Sequence, residues 1–186
     1  MMKTIATFGL LLSLFMGLGC ASGPRTSATP QEMAALDRVI SDGTFKIVAQ
    51  WAQPMASRGL NSIANAGLLP RGSSAGRIDI AGSGGYFKMD GDRTEADLPY
   101  FGERHMGGGY EPDKAGIRFK GTPKDYSLGP IQKGDGYTMR FSINEGQETF
   151  QVLAQIYATG HATVSVASTH RTTIWYQGRL LDENQD

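Results

Sequence analysis

The first residue pattern that suggests chemistry is Gly72-Ser73-Ser74-Ala75-Gly76, which matches the G-x-S-x-G sequence of a nucleophile elbow. A nucleophile elbow needs its serine on a tight turn between a strand and a helix, with an acid and a histidine following along the chain. No predicted strand leads into this segment, and the residues after it alternate like a strand rather than a helix. We therefore interpret the segment as a solvated Ser/Gly loop.

Two further segments resemble ion-binding loops, and each departs from the pattern at a required position. Gly129–Gly134 has the glycine spacing of a phosphate loop, but Asp135 holds the position of the lysine, and its charge would repel a phosphate. Asp90, Asp92 and Glu95 are spaced faintly like a calcium loop, yet Glu95 stands where that loop requires glycine. A hairpin turn explains the same acidic residues.

Histidines and carboxylates could form a metal site or an acid–base pair only if the fold brought them together. The three histidines are His105, His161 and His170, and zinc usually takes three or four nitrogen or sulfur ligands. His161 and His170 fall at the two ends of one predicted strand, roughly 30 Å apart at about 3.3 Å per residue. Carboxylates that could pair across strands are Asp79, Glu95 and Asp97. Because none has a predicted His or Lys partner, we expect no enzyme, no catalytic residue, no metal and no cofactor.

The single cysteine, Cys20, follows an uncharged apolar run from Ile5 to Leu18 and a basic start at Lys3. As a helix this run covers about 21 Å, short of a hydrocarbon core of roughly 30 Å, so it predicts a secretory signal. The junction resembles a bacterial lipoprotein signal, which implies cleavage before Cys20 and acyl chains on its sulfur. In that class an Asp after the cysteine retains the protein at the inner membrane. Ala21 stands there, which implies an outer membrane lipoprotein facing the periplasm or the cell surface.

Composition predicts one domain after this signal. We divide the chain into a lipoprotein signal peptide at residues 1–19, a small, polar, flexible tether at residues 20–28, and a single β-rich domain at residues 29–186. The formal net charge is +0, which argues against a nucleic-acid partner. The expected partners are the membrane, through the N-terminal lipid, and either an envelope protein or a small apolar ligand.

One helix is predicted directly after the tether. Thr29 fits an N-cap, and Pro30 fits the first helical position. Glu32, three residues after Thr29, fits the acidic residue of a capping box. Apolar residues then recur at helical spacing until Gly43, which fits a C-terminal stop. The pattern predicts a helix over residues 30–42.

From Thr44 onward apolar residues alternate with a period of two, and turn residues separate the runs. This pattern predicts an all-β fold, an antiparallel meander of 8–10 strands curled as a partly open barrel or a sandwich, with one N-terminal α-helix. Residues 56–71 have no clear period and predict a loop or a short helix. The bulky residues expected to fill the interior are Phe45, Trp51, Tyr137, Met139, Phe141, Phe150 and Tyr176.

A glycine-rich loop between predicted strands carries the candidate ligand-binding residues Tyr100, Phe101, His105 and Tyr110. Aromatic groups on such a loop could close the mouth of a barrel over a ligand. The alternative, which we favour, is that residues 99–101 fasten the loop to the core.

Several stretches together resemble a family of small bacterial envelope lipoproteins known as domain of unknown function 4251. The stretches are Leu98-Pro99-Tyr100-Phe101-Gly102, residues 116–121 with Asp125-Tyr126, residues 160–166, and Tyr176-Gln177-Gly178. The resemblance covers roughly residues 35–180. It implies a β-rich fold and an envelope location, and it supplies no catalytic residue.

Two functions are compatible with these observations. The first is a lipid-anchored cell-envelope protein that acts as a non-catalytic interaction or structural module. The alternative is a carrier that holds a small apolar ligand inside the curled sheet. A carrier requires a connected interior void above about 300 Å³, expected near Tyr100 and Phe101.

Overall fold

The computed structural model describes residues 27–105 and 115–181. The predicted signal peptide, Cys20, residues 21–26 of the tether and Tyr110 lie outside the described residues. Within them, no helix has the length and apolar character needed to cross a membrane.

The first helix, α1 (Pro30–Asp42), has the bounds that its capping residues predict. The Thr29 hydroxyl accepts a hydrogen bond from the Glu32 amide at 3.2 Å, and the Glu32 carboxylate accepts one from the Thr29 amide at 2.7 Å. Gly43 ends the helix with a φ of 68°, a left-handed conformation that favours glycine. Leu36 on its apolar stripe is buried in the core.

Ten antiparallel strands form the sheet of the described residues, which confirms the predicted antiparallel architecture. They are β1 (Thr44–Pro54), β2 (Ile78–Asp79), β3 (Tyr86–Asp90), β4 (Arg93–Leu98), β5 (Ile117–Gly121), β6 (Lys124–Pro130), β7 (Gly136–Glu145), β8 (Glu148–Tyr157), β9 (His161–Ser168) and β10 (Ile174–Leu181). The sheet order is β5-β4-β3-β1-β10-β9-β8-β7-β6, and β2 pairs with β1 beside this path. The first and last strands are therefore central neighbours, and the sheet curls into a half-barrel.

The connection from β1 to β2 contains a second short helix, α2 (Arg58–Asn65). The sequence predicted a loop or a short helix in this region. The Ser57 hydroxyl caps it by accepting a hydrogen bond from the Leu60 amide at 3.2 Å. Leu60 is the one buried residue of this helix, which explains why no apolar period marks it. A 3₁₀ turn, Ala81–Ser83, follows β2.

Aromatic side chains fill the space enclosed by the curled sheet. Phe141 on β7 lies with its ring centroid 6.0 Å from that of Phe87 on β3 and 6.3 Å from that of Phe119 on β5. Phe119 also packs at 5.5 Å from Phe150 on β8. Of the residues predicted to fill the interior, those that are buried are Phe45, Met139, Phe141, Phe150 and Tyr176. Tyr137 is half-buried and donates a hydrogen bond to Asp37 of α1 at 2.8 Å.

Trp51 does not belong to this core, and the prediction that it continues the buried face of β1 is wrong. The register between β1 and β10 shifts between Ala49 and Trp51, which marks an irregularity of the β-bulge kind. Such a shift moves every later side chain to the opposite face. Ala52, opposite Tyr176, is therefore fully buried, whereas Trp51 points outward opposite Gln177.

Candidate functional site

Tyr100 follows β4, and polar partners surround its hydroxyl at one end of the half-barrel. The hydroxyl oxygen lies 2.8 Å from the Glu103 carbonyl oxygen, 3.0 Å from the Thr172 carbonyl oxygen and 2.9 Å from the Thr172 hydroxyl. Burial raises the pKa of the Tyr100 phenol above its usual value. Its neighbour Tyr176, deeper in the core, donates a hydrogen bond to the Pro99 carbonyl at 2.8 Å. The two phenols thus fasten residues 99–103 to β10 and to the turn that precedes it.

The two other predicted ligand-binding residues within the described ranges, Phe101 and His105, have different surroundings. Phe101 is partly buried and packs against the core, while the His105 side chain is exposed. The backbone amide of His105 donates to the His170 carbonyl at 2.8 Å, so the segment is paired with the β9–β10 connection. Tyr110 lies outside the described residues. A ligand role for these four residues stays a prediction.

The same end of the fold holds a buried ion pair that the sequence did not reveal. Arg171 donates from Nε to Glu148 Oε1 at 2.8 Å and from Nη2 to Glu148 Oε2 at 3.0 Å. The Arg171 side chain is 4% exposed and that of Glu148 is 13% exposed. Burial alone would raise the pKa of the Glu148 carboxyl, but hydrogen bonds from Arg171 and Ser168, with the charge of Arg171, hold that pKa below its usual value.

Arg171 also joins this ion pair to the start of β5. Its Nη1 donates to the Gly116 carbonyl at 2.6 Å and to the Ala115 carbonyl at 3.2 Å. Its guanidinium carbon lies 5.3 Å from the ring centre of Tyr100, within the range of a cation–π contact. Periodicity could not identify Arg171, because it falls in the β9–β10 turn where a charged residue is normally solvated. These contacts indicate a structural role.

A groove of about 730 Å³ lies beside this ion pair, between β5 and the β7–β8 turn, and Tyr100 and Phe101 are not among the residues that line it. Lys120 contacts Glu95 at 2.6 Å, and Arg118 contacts Asp97 at 3.0 Å. Hydrogen bonds from Lys120 and Tyr86 lower the pKa of the Glu95 carboxyl. Glu95 and Asp97 are thus engaged with cations, which is not the arrangement of an acid–base pair.

The G-x-S-x-G segment and the carboxylate of Asp79 make local structural contacts. Ser73 of the G-x-S-x-G segment accepts a hydrogen bond from the Asp79 amide at 2.9 Å, and Ser74 forms a β-bridge with Arg77. Asp79 accepts one from the Ala81 amide at 3.0 Å, at the start of the 3₁₀ turn. Across residues 27–105 and 115–181, no group of three or more His, Cys, Asp or Glu side chains could hold a metal ion.

The outer face of the central strands is the second surface of interest. Side chains that lie opposite one another form three rows across the sheet, defined from the strand pairing. We call the following set the outer band: Gln53, Trp175, Ser165, Leu153 and Arg140 in the first row, Trp51, Gln177, Thr163, Gln155 and Thr138 in the second, and Ala167, Gln151 and Ser142 in the third. Arg140 carries the one charge of this set, and the third row continues into the edge strand β6, where Lys124 lies opposite Ser142.

The outer band contains a groove and the two tryptophans of the chain. The groove measures about 400 Å³, and Arg140, Gln151, Leu153 and Ser165 are among the residues that line it. Trp175 lies directly across the β9–β10 pair from Ser165 and is 38% exposed. This arrangement puts a large aromatic surface beside a small concave site with amide, hydroxyl and guanidinium groups.

Comparison with known proteins agrees with this architecture. A family described as a domain of unknown function (DUF4251) matches residues 28–180. No curated protein matches the chain. The crystal structure of a DUF4251 family protein from Bacteroides eggerthii DSM 20697 has a similar fold, with a TM-score of 0.55 and 14% sequence identity over 84% of this chain and 91% of that one. The family match spans most of the sequence, and the chain belongs to the DUF4251 family.

Proposed function

We propose that the protein is a lipid-anchored module of the outer membrane that acts through its surface, without catalysis. The observation that carries this proposal is the filled interior: Phe87, Phe119, Phe141 and Phe150 occupy the space where a carrier would hold its ligand. A carrier would hold its ligand near Tyr100 and Phe101, and neither of them lines the groove of about 730 Å³ that Phe119 and Phe150 border. The carboxylates Glu95 and Glu148 are in ion pairs, which also favours a non-catalytic function.

The lipid anchor is predicted from the sequence around Cys20. Plural acylation of Cys20 would hold the chain stably on a membrane, whereas one acyl chain binds only marginally. The amide of Ala28 donates to the Asp135 carboxylate at 2.9 Å, which places the start of the domain at the β6–β7 loop. Ala28 lies eight positions after Cys20, and an extended chain of that length reaches at most about 29 Å. The β6–β7 loop would therefore lie within about 29 Å of the lipid-bearing Cys20.

Fractionation of cells that express the full chain tests the anchor. Cys20→Ser should move the protein from the outer-membrane fraction to the soluble fraction, because the sulfur that accepts the lipid is gone. Ala21→Ser, which keeps the cysteine, should remain with the membrane. Pelleting of Cys20→Ser at the wild-type level would refute the lipid anchor.

Native mass spectrometry of the protein extracted from its own membrane separates a surface module from a carrier. A module should show the acyl mass and no further small molecule. A small apolar molecule that stays bound to the extracted wild-type protein and is absent from Tyr100→Ala would support the carrier instead.

A further inference from the structure

The outer band is mostly uncharged and polar. Charged residues make up 19% of the chain, yet the band holds Gln, Ser and Thr at most of its polar positions and one charge, Arg140. Amide and hydroxyl side chains both donate and accept hydrogen bonds. A surface of this kind complements an uncharged ligand that carries many hydroxyl groups.

The position of the tryptophans supports the same ligand class. Trp51 lies opposite Gln177, and Trp175 lies opposite Gln53, so the two tryptophans are diagonal neighbours on adjacent strands. Such neighbours have backbones about 7–8 Å apart. The Arg77 guanidinium lies 3.9 Å from the Trp51 ring centre and covers one face of that indole. Trp175 keeps exposed surface and lies directly opposite Ser165, which lines the 400 Å³ groove.

The groove itself has an apolar floor and polar walls. Leu153 lies between Ser165 and Arg140 in its row, and Gln151 lies opposite Ser142 in the neighbouring row. The Ser142 hydroxyl lies 3.0 Å from the carboxylate of Asp125, which also lines the groove. The single Arg140 cation therefore shares the site with an anion, which is unlike the clustered cations of a phosphate or nucleic-acid site.

We propose that the outer band binds a neutral oligosaccharide. The indole of Trp175 stacks on the apolar face of one sugar ring, as aromatic groups do at binding surfaces. Gln151, Ser165 and Arg140 hydrogen-bond the hydroxyls of the next ring in the groove. This inference rests on the proposed surface function and names its ligand class, because a polysaccharide is a component that an envelope module would meet.

Isothermal titration of the full-length protein in mild detergent tests the proposal. The probes are hexamers of glucose, N-acetylglucosamine, mannose and xylose, and tryptophan fluorescence is followed in parallel, since both indoles of the chain belong to the band. At least one hexamer should bind saturably and change the emission. Trp175→Ala should weaken that binding about 10-fold, the effect of losing one aromatic contact of about 1.4 kcal/mol.

Two further variants separate an effect on sugar binding from an effect on folding. Gln151→Ala should weaken binding several-fold without changing thermal unfolding, because Gln151 is exposed. Leu68→Ala removes a side chain that is 74% exposed outside the band, and it should bind sugar like the wild type. The proposal is overturned if none of the four hexamers binds, or if Trp175→Ala binds as tightly as the wild type.

A photo-crosslinking residue placed at position Ala167 tests in cells whether a protein, rather than a sugar, occupies the outer band. Capture of a protein at this position, together with no sugar binding, would make the band a protein interface and overturn the oligosaccharide. In that case Cys20-dependent fractionation would still test the anchored module, so the two proposals can fail separately.

Discussion

Arg171 meets Glu148 through two parallel hydrogen bonds of 2.8 and 3.0 Å, and both side chains are almost fully removed from solvent. Parallel hydrogen bonds between guanidinium and carboxylate are the strongest common form of ion pair. The pair connects the start of β8 with the β9–β10 turn, and Arg171 further binds the carbonyls before β5. It therefore joins chain segments that are distant in sequence.

Glu148→Gln should destabilise the protein strongly, because it leaves the buried Arg171 cation without its counter-ion. Breaking a buried pair costs about 3–5 kcal/mol, and we expect about 3 kcal/mol since Glu148 keeps some exposure. The free energy of unfolding in urea measures the loss. Glu95→Gln removes one partner of an exposed pair with Lys120, and its cost should be below about 1 kcal/mol. Equal losses in the two variants would contradict the structural role of Arg171–Glu148.

The ion pair should also make stability depend on pH on the acid side. The pKa of Glu148 is lower in the folded protein than its ordinary value of 4.5, so the folded state favours the charged carboxylate. The resulting stability is fully present above pH 4.5 and is lost as the pH falls through the lower, folded-state pKa. Urea midpoints measured from pH 7 to pH 3 should therefore fall more steeply below pH 4.5 in the wild type than in Glu148→Gln. If the urea midpoints of the two proteins fall in parallel below pH 4.5, the ion pair does not contribute to the pH dependence of stability.

Gly178→Ala should disturb the contact between the first and last strands. Gly178 lies opposite Ala49 in β1, and an added Cβ would collide with the Val48 carbonyl oxygen. Forcing an atom into packed backbone typically costs about 1–3 kcal/mol, measurable by thermal or urea unfolding. The matched control is Gly129→Ala in edge strand β6, where nothing lies within 4 Å of the added carbon; it should change stability by less than about 0.5 kcal/mol. A neutral Gly178→Ala would contradict the β1–β10 register.

Phe141→Ala should cost about 3–5 kcal/mol, the usual loss for a buried phenylalanine. Its ring lies between Phe87 and Phe119, and removing it empties the centre of the half-barrel. Denaturant unfolding measures the effect against Leu68→Ala, which we expect to be nearly neutral because Leu68 is 74% exposed. A mild Phe141→Ala would indicate a loosely filled interior and favour the carrier.

Tyr100→Phe tests whether this tyrosine fastens its segment. Loss of the hydroxyl removes its hydrogen bonds to residues 103 and 172 and should cost about 1 kcal/mol. Hydrogen exchange of the His105 amide, which is bonded to the His170 carbonyl, should become faster. Tyr126→Phe, at a side chain 45% exposed, should leave that exchange rate unchanged. Unaltered exchange in Tyr100→Phe would contradict the fastening role.

The amino-acid sequence by itself determined the local elements of this protein. The capping box of Thr29 and Glu32 defines α1 because its hydrogen bonds join residues three apart. Strict alternation in β7 and β8 defines strands because the period of the pleat is two. These signals lie within one short segment each, so they can be recognised without knowing how the chain folds.

Tertiary structure alone decided which face Trp51 occupies and where Arg171 lies. The β1 register shift follows from pairing with β10, more than one hundred residues away, and it turns Trp51 from the expected core to the outer band. Burial of Arg171 depends on Glu148 and on carbonyls more than fifty residues distant. Alternation within one strand does not encode such contacts, because their free energy arises only when separate segments meet and exclude water together.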